Sequence, residues 1–287
     1  NYVAMNIRAI SEVVCDLGEG PIWSPQTNCV TWTDITQNIF HTADIDTGAT
    51  QSFSAPSMVG AIAHTRGGDY VAANQEGFTF IGIDGKFSQL HSFLADDMRM
   101  NDGKVDPVGR FWAGSLALSF EAERGSLYVL EKDGSYRSVL DKCTLSNGMG
   151  WSPDAHYFYY IDSIPGVLKR FDFDSVHGLI SNPIDLVTFD TSKGIPDGMS
   201  VSSDGKIVVA LWDGERVEIY EPDGTKATEI KLGVSRPTSC TFGGTDGNVL
   251  IVTSASQGID RGKEALAGKI LAVTGTGLSG LPAHRYG

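Results

Sequence analysis

Gly-Glu-Gly-Pro-Ile-Trp-Ser-Pro (18–25) returns later in the chain as Ser-Asn-Gly-Met-Gly-Trp-Ser-Pro (146–153), with the same Gly and the same Trp-Ser-Pro ending. Met-Asn-Asp-Gly-Lys-Val-Asp-Pro (100–107) and Pro-Asp-Gly-Met-Ser-Val-Ser-Ser (196–203) hold the same register. Met-Val-Gly-Ala-Ile-Ala-His-Thr (58–65) and Arg-Pro-Thr-Ser-Cys-Thr-Phe-Gly (236–243) are weaker copies. The second position of the six reads Glu19, Val59, Asn101, Asn147, Asp197, Pro237, with spacings of 40, 42, 46, 50 and 40 residues. A period of this length marks a repeat architecture, and the contents of each repeat decide which one.

Between these anchors lie short β-branched and aromatic runs, such as 29–35, 69–73, 110–113, 157–161, 207–211 and 249–253, each followed by a second run. Asp-Gly turns at 84–85, 133–134, 204–205 and 223–224 separate them, and no helical periodicity intervenes. Six units of about four short strands predict an all-β fold, a six-bladed β-propeller spanning residues 1–287 as a single domain. A sandwich or barrel also has short, regularly spaced strands, but neither predicts six copies of one register. The segment 8–15 reads as a strand that completes the last blade and closes the ring, which protects its open edge. The tail 278–287 has little in its sequence to anchor it.

A net charge of −13 disfavours nucleic acid and anionic membrane surfaces as partners, because phosphates require a basic face. No apolar run approaches the ~20 residues of a membrane span, and no basic-then-apolar leader opens the chain, so a cytoplasmic protein is expected. Cys15, Cys29, Cys143 and Cys240 form no paired motif and read as buried free thiols. The repeats carry no information on oligomeric state.

In a propeller the innermost strand of each blade lines the central channel. Side chains at the starts of those strands therefore converge near the axis on one face. Glu19, Asn101, Asn147 and Asp197 would form such a ring, with two carboxylates and two amides. Polar residues before Gly also cap turns, but that reading does not explain four equivalent positions. Hard oxygen donors select a hard divalent cation. Ca²⁺ suits such a site best, and Mg²⁺, Mn²⁺ or Zn²⁺ can occupy it. Two facing carboxylates would otherwise repel, and one would stay protonated.

Leu-Gly-Glu-Gly-Pro (17–21), Arg-Met-Asn-Asp-Gly-Lys-Val-Asp-Pro-x-Gly-Arg (99–110), Ser-Asn-Gly-Met-x-Trp-Ser-Pro-Asp (146–154) and Ile-Pro-Asp-Gly-Met (195–199) resemble the regucalcin / gluconolactonase / luciferin-regenerating-enzyme family, as do Gly-Ser-Leu-Tyr (125–128) and Phe-Gly-Gly (242–244). The resemblance runs from about residue 11 to 280. It implies one divalent cation at the channel mouth and hydrolysis of a small-molecule sugar lactone. It also implies Glu19, Asn147 and Asp197 as metal ligands, with Arg99 and Asn101 as substrate contacts, so that Asn101 moves from ligand to lactone. Family members carry a further substrate-contacting Glu where this chain, counted without gaps, has Ser119. Glu121 or Glu123 replaces it if the loop shifts.

No Gly-x-Ser-x-Gly elbow is present, and none of the six histidines falls on the column. Asp172-Phe-Asp174 fails the twelve-residue calcium-loop pattern. The expected reaction is metal-assisted hydrolysis of an aldonolactone to the aldonic acid, with Asp197 as the catalytic base and Arg99, Asn101, Ser119 and Glu121 around the substrate. A calcium-binding regulatory propeller with vestigial catalysis is the alternative.

Overall fold

Ile207–Trp212 and Phe111–Ala117 are apolar along almost every position, and such strands are stable only when both of their faces are covered. The computed structural model, which describes residues 4–287, covers them by stacking six four-stranded antiparallel sheets face to face around an axis. The innermost strands are Gly18–Ser24, Val59–His64, Met98–Val105, Ser146–Trp151, Ile195–Val201 and Pro237–Gly243. These are the six quoted copies, and the blades are numbered 1 to 6 in that order. Burial falls from the axis outward: Ser146–Trp151 is buried throughout, whereas the outermost strand Lys226–Lys231 buries only Ile230. The apolar cores lie between neighbouring blades. One joins Val208, Val217 and Ile230 of blade 5 to Leu250 and Val252 of blade 6. No helix is long and apolar enough to cross a membrane among the described residues.

All six inner strands break register at the same height, immediately beside the column residue. The shifts fall between Glu19 and Ile22, Val59 and Ala61, Met100 and Gly103, Ser146 and Met149, Pro196 and Met199, and Pro237 and Ser239. A bulge leaves a residue out of the ladder and re-aims its neighbour, which turns the column side chains toward the axis. After the column residue, Gly60, Gly148 and Gly198 serve close packing between blades, whereas Gly20 supplies a left-handed φ of 56°. A Cβ on Gly60 would lie 2.5 Å from the Asn101 carbonyl oxygen, and one on Gly148 2.7 Å from that of Asp197.

The ring is closed by Asn6–Ala9, which pairs with Leu271–Thr274 as the fourth strand of blade 6. The expected strand at 8–15 is thus shorter and begins two residues earlier. Beyond it only Ile10 and Cys15 donate to blade 6, to the Ile270 and Gly268 carbonyls at 2.9 and 2.8 Å. Val13 N–H turns back to Ser11 Oγ instead, at 3.2 Å.

The tail differs from its expectation altogether. Ser203 N–H donates to Ser279 O and Gly280 N–H to Gly247 O, both at 2.8 Å. Tyr286 pairs with Thr65 in a parallel bridge, donating to His64 O at 2.9 Å. Its ring is buried in the core between blades 2 and 3, and its hydroxyl donates to Glu131 O at 2.6 Å. Arg285 Nη2 reaches Gln26 Oε1 at 2.5 Å. The last ten residues therefore strap five of the six blades together at the end of the channel opposite the column. The thiols are free as expected, with Cys29 half-exposed and the other three buried.

Candidate metal and substrate site at the channel mouth

Glu19, Asn101, Asn147 and Asp197 are all buried at the starts of their strands, on one face of the ring. Val59 and Pro237 complete the circle with apolar groups. Arg99 stands two residues before Asn101, and the period of two along a strand brings both side chains to the same side.

A hydrogen-bond chain crosses three blades here. Arg99 Nη1 donates to Asn101 Oδ1 at 2.9 Å. Asn101 Nδ2 donates to Asn147 Oδ1 at 2.9 Å and to Ser146 O at 2.7 Å. Asn147 Nδ2 donates to Ser163 Oγ at 2.7 Å, and Ser163 Oγ donates to Pro196 O at 2.6 Å, one residue before Asp197. Each amide orientation is thereby fixed, with the Asn147 oxygen turned inward. Both Asn101 amide protons are used, so Asn101 retains only a lone pair on Oδ1. Arg99 bonds through Nη1 alone and keeps its remaining donors.

Glu19 and Asp197 are buried in the same ring, and the charge of Asp197 bears on Glu19. Burial, and then the Asp197 and Asp102 charges, hold Glu19 well above the usual carboxylate range. Burial likewise raises Asp197, against the hydrogen bond from Glu19 and the charge of Arg99. Glu19 Oε2 accepts from Gly20 N–H at 2.9 Å, but buried Asp197 Oδ1 has no partner. A buried carboxylate oxygen without a donor is costly. Burial also depresses the Arg99 guanidinium to about 10, against the two carboxylates that hold it charged. Two crowded carboxyls, one orphaned oxygen and an inward amide oxygen form a hard donor set that a divalent cation satisfies.

Ser119 and Glu121 are not among these converging groups. They lie on the exposed turn 118–124, on the same face of blade 3, where Ser119 Oγ accepts from Glu121 N–H at 3.3 Å. Glu121 pairs with Arg124 at 2.9 Å, and Arg124 with Asp97 at 3.0 Å. Glu123 is exposed there too, and its N–H donates to Thr144 Oγ1 of blade 4 at 3.0 Å.

Beneath the ring the sequence reading missed a set of channel residues. Asp102 and Lys104 line a cavity of ≈190 Å³ with His64, Cys240 and His284. Lys104 Nζ donates to Met199 O at 2.8 Å, and burial lowers its pKa while Asp102 opposes the change. Burial and the nearby Arg285 push His64 down to about 4, and its buried Nε2 has no partner. A signal for Asp102 was present. It occupies the place that Gly20, Gly60, Gly148 and Gly198 fill in four other blades, so a charged side chain there breaks the pattern of the column.

Away from the axis, ligand atoms of Cys15, Asp34 and His41 also come within 4.8 Å of one another. Each already has a structural partner. Trp32 Nε1 donates to Cys15 Sγ at 3.3 Å, Asp16 and Leu17 N–H donate to Asp34, and His41 Nδ1 bonds Ser52 Oγ at 2.7 Å. Blade 4 repeats the clasp with Cys143 and with Asp162 receiving Thr144 and Leu145 N–H, but has Lys169 in the place of His41. The cluster therefore reads as the fastening at the start of a blade.

Residues 17–256 match the SMP-30/Gluconolactonase/LRE-like region. Regucalcin of Gallus gallus is 36% identical over 285 residues, covering 94% of each chain. The solved luciferin-regenerating enzyme superposes with a TM-score of 0.92 at 26% identity over 99% of both chains. The calcium-binding protein regucalcin from Agrobacterium tumefaciens has the same fold, with a TM-score of 0.94 at 24% identity over 99% of this chain and 98% of that one.

Proposed function

The chain belongs to the SMP-30/gluconolactonase/LRE-like family, and from that premise we propose that it hydrolyses a sugar lactone to the aldonic acid with one divalent cation held by Glu19, Asn147 and Asp197. The observation that carries this reading is the pair of facing carboxyls with Asp197 Oδ1 buried and unpartnered. When bound, such a cation supplies Lewis-acid polarisation of the lactone carbonyl, with Ca²⁺ the best match to the oxygen donors. Asp197 accepts the proton of the attacking water, the ring C–O bond breaks, and that proton returns to the ring oxygen as a hydroxyl. Arg99 donates its free N–H groups to the hydroxyls or ring oxygen of the sugar, and Asn101 offers its remaining lone pair. Ser119 or Glu121 meets the far side of the sugar from the turn above.

A pH-stat assay on gluconolactone tests this. Dialysis against chelator abolishes acid release, and Ca²⁺, Mn²⁺, Mg²⁺ or Zn²⁺ restores it. Full turnover by metal-free protein would end the proposal. The similarity to regucalcin, a calcium-binding protein in Agrobacterium tumefaciens, favours a second reading, a calcium-binding propeller with vestigial catalysis. Tight Ca²⁺ binding with no turnover of any lactone selects it.

A further inference from the structure

Ten large apolar side chains of the described residues are well exposed, and scattered single ones need no explanation. Their distribution is not scattered at the channel mouth. Ile83, Val176 and Leu179 belong to the opposite face, where the third strands of blades 2 and 4 end. On the mouth face the exposed ones are Leu118 (39%), Phe120 (55%) and Ile164 (52%), in adjacent turns of blades 3 and 4.

Both turns fasten to one segment, Thr144–Leu145, which leads into the Asn147 strand. Glu123 N–H donates to Thr144 Oγ1 at 3.0 Å from one side, and Ser163 N–H to Leu145 O at 3.1 Å from the other. Leu118 directly follows Ala117, the strand partner of Met98 beside Arg99. Ile164 directly follows Ser163, which holds the Asn147 amide. The turn around Phe120 is tightly built. Leu118 N–H bonds Asp97 O and Phe120 N–H bonds Ala117 O, both at 2.8 Å, and Arg124 ties Glu121 to Asp97. Phe120 has a φ of 60°, a left-handed conformation that is unfavourable for a bulky side chain, and it is the one aromatic residue so held among the described residues. The fold thus keeps an aromatic ring in solvent on the mouth face at a cost in backbone strain. In the same turn Ser119 is neutral, and Glu121 is engaged by Arg124.

We propose that the site accepts a second substrate class: lactones whose ring bears an alkyl or aryl substituent, which lies against Leu118, Phe120 and Ile164 while the ring ester meets Asp197 and Arg99. The proposal rests on the lactonase reading for its chemistry, and extends it to a substrate that a fully hydroxylated sugar ring does not resemble.

The experiment compares kcat/KM of the Ca²⁺-loaded protein on γ-butyrolactone, γ-hexalactone and γ-nonalactone, with gluconolactone as reference, for the natural chain and for F120S/I164S. In the natural chain kcat/KM rises about twofold per added methylene, as half-burial of each gives. The double variant flattens that rise and leaves gluconolactone within about twofold, because both positions are exposed and outside the reacting groups. An unchanged melting temperature confirms that the variant is folded. A flat chain-length profile in the natural chain, with gluconolactone hydrolysed, overturns this proposal and leaves the lactonase reading standing. An equally steep profile in F120S/I164S overturns it too, by moving the apolar contact elsewhere. Hydrolysis of neither class removes both readings at once.

Discussion

The two ends of the channel are built from the same six strands and differ in kind. At the mouth, two carboxyls, an arginine and two amides are buried together, and the polar network leaves Asp197 Oδ1 without a partner. At the far end the tail satisfies its backbone through partners on four blades and lodges Tyr286 in the core. One end concentrates unfavourable electrostatics and the other concentrates stability, as expected where function and folding make opposite demands.

Asp197→Asn breaks the comparison at the mouth. Losing the base lowers kcat about 10²–10⁴-fold at saturating metal. In chelated protein the same change leaves the urea midpoint equal or higher, since one of two repelling carboxyls is gone. A lower midpoint in the metal-free variant would show that the mouth contributes stability after all. At the far end Tyr286→Ala is expected to cost about 3 kcal/mol in denaturant unfolding, through lost packing and the lost bond to Glu131, while KM and kcat stay within about twofold. A collapse of kcat there would mean that the two ends are coupled.

A smaller effect separates the ends by pH. His64 is held neutral at the far end, its pKa depressed from 6.5 to about 4. The unfolded chain binds the extra proton between those values, so stability is full above about 6.5 and falls as pH drops toward 4. Because His64 is partly solvated, the loss is at most about 3 kcal/mol. His64→Gln should flatten the acid side of the urea-midpoint profile, and an unaltered profile assigns that slope to another group. The smallest change concerns the mouth turn. Ser119→Ala is expected to lower kcat/KM on five- and six-carbon aldonolactones less than tenfold, as loss of one neutral contact of about 1 kcal/mol gives. A larger loss from Glu121→Ala or Glu123→Ala, with Ser119→Ala silent, would place the sugar contact on the acidic residues.

The contrast also explains what was legible in the sequence. The mouth is written locally: each column residue sits in a recurring octet, and aligning the octets was enough to place Glu19, Asn101, Asn147 and Asp197 together. What the octets do not show is the bulge itself, because a bulge that lets two blades touch looks, in one dimension, like Asn-Gly or Asp-Gly in a hairpin. The far end is written non-locally. Nothing in Leu281–Gly287 is periodic, and the tail is fixed by Tyr286 and by carbonyls and amides of His64, Arg66 and Gly109 far away in sequence. Lys104 belongs to the third octet, but that its ammonium reaches Met199 O across the channel depends on the ring being closed.

Six bulges at one height separate the backbone of the site from its chemistry. The frame that aims Glu19 and Asp197 inward aims Val59 and Pro237 in the same way, although neither offers a donor. The ring is in effect a six-socket mount with four sockets fitted. The number of donors it presents can change by substitution at Val59 or Pro237 without moving a strand, so descendants of this chain can diversify at the mouth while the propeller beneath them stays the same.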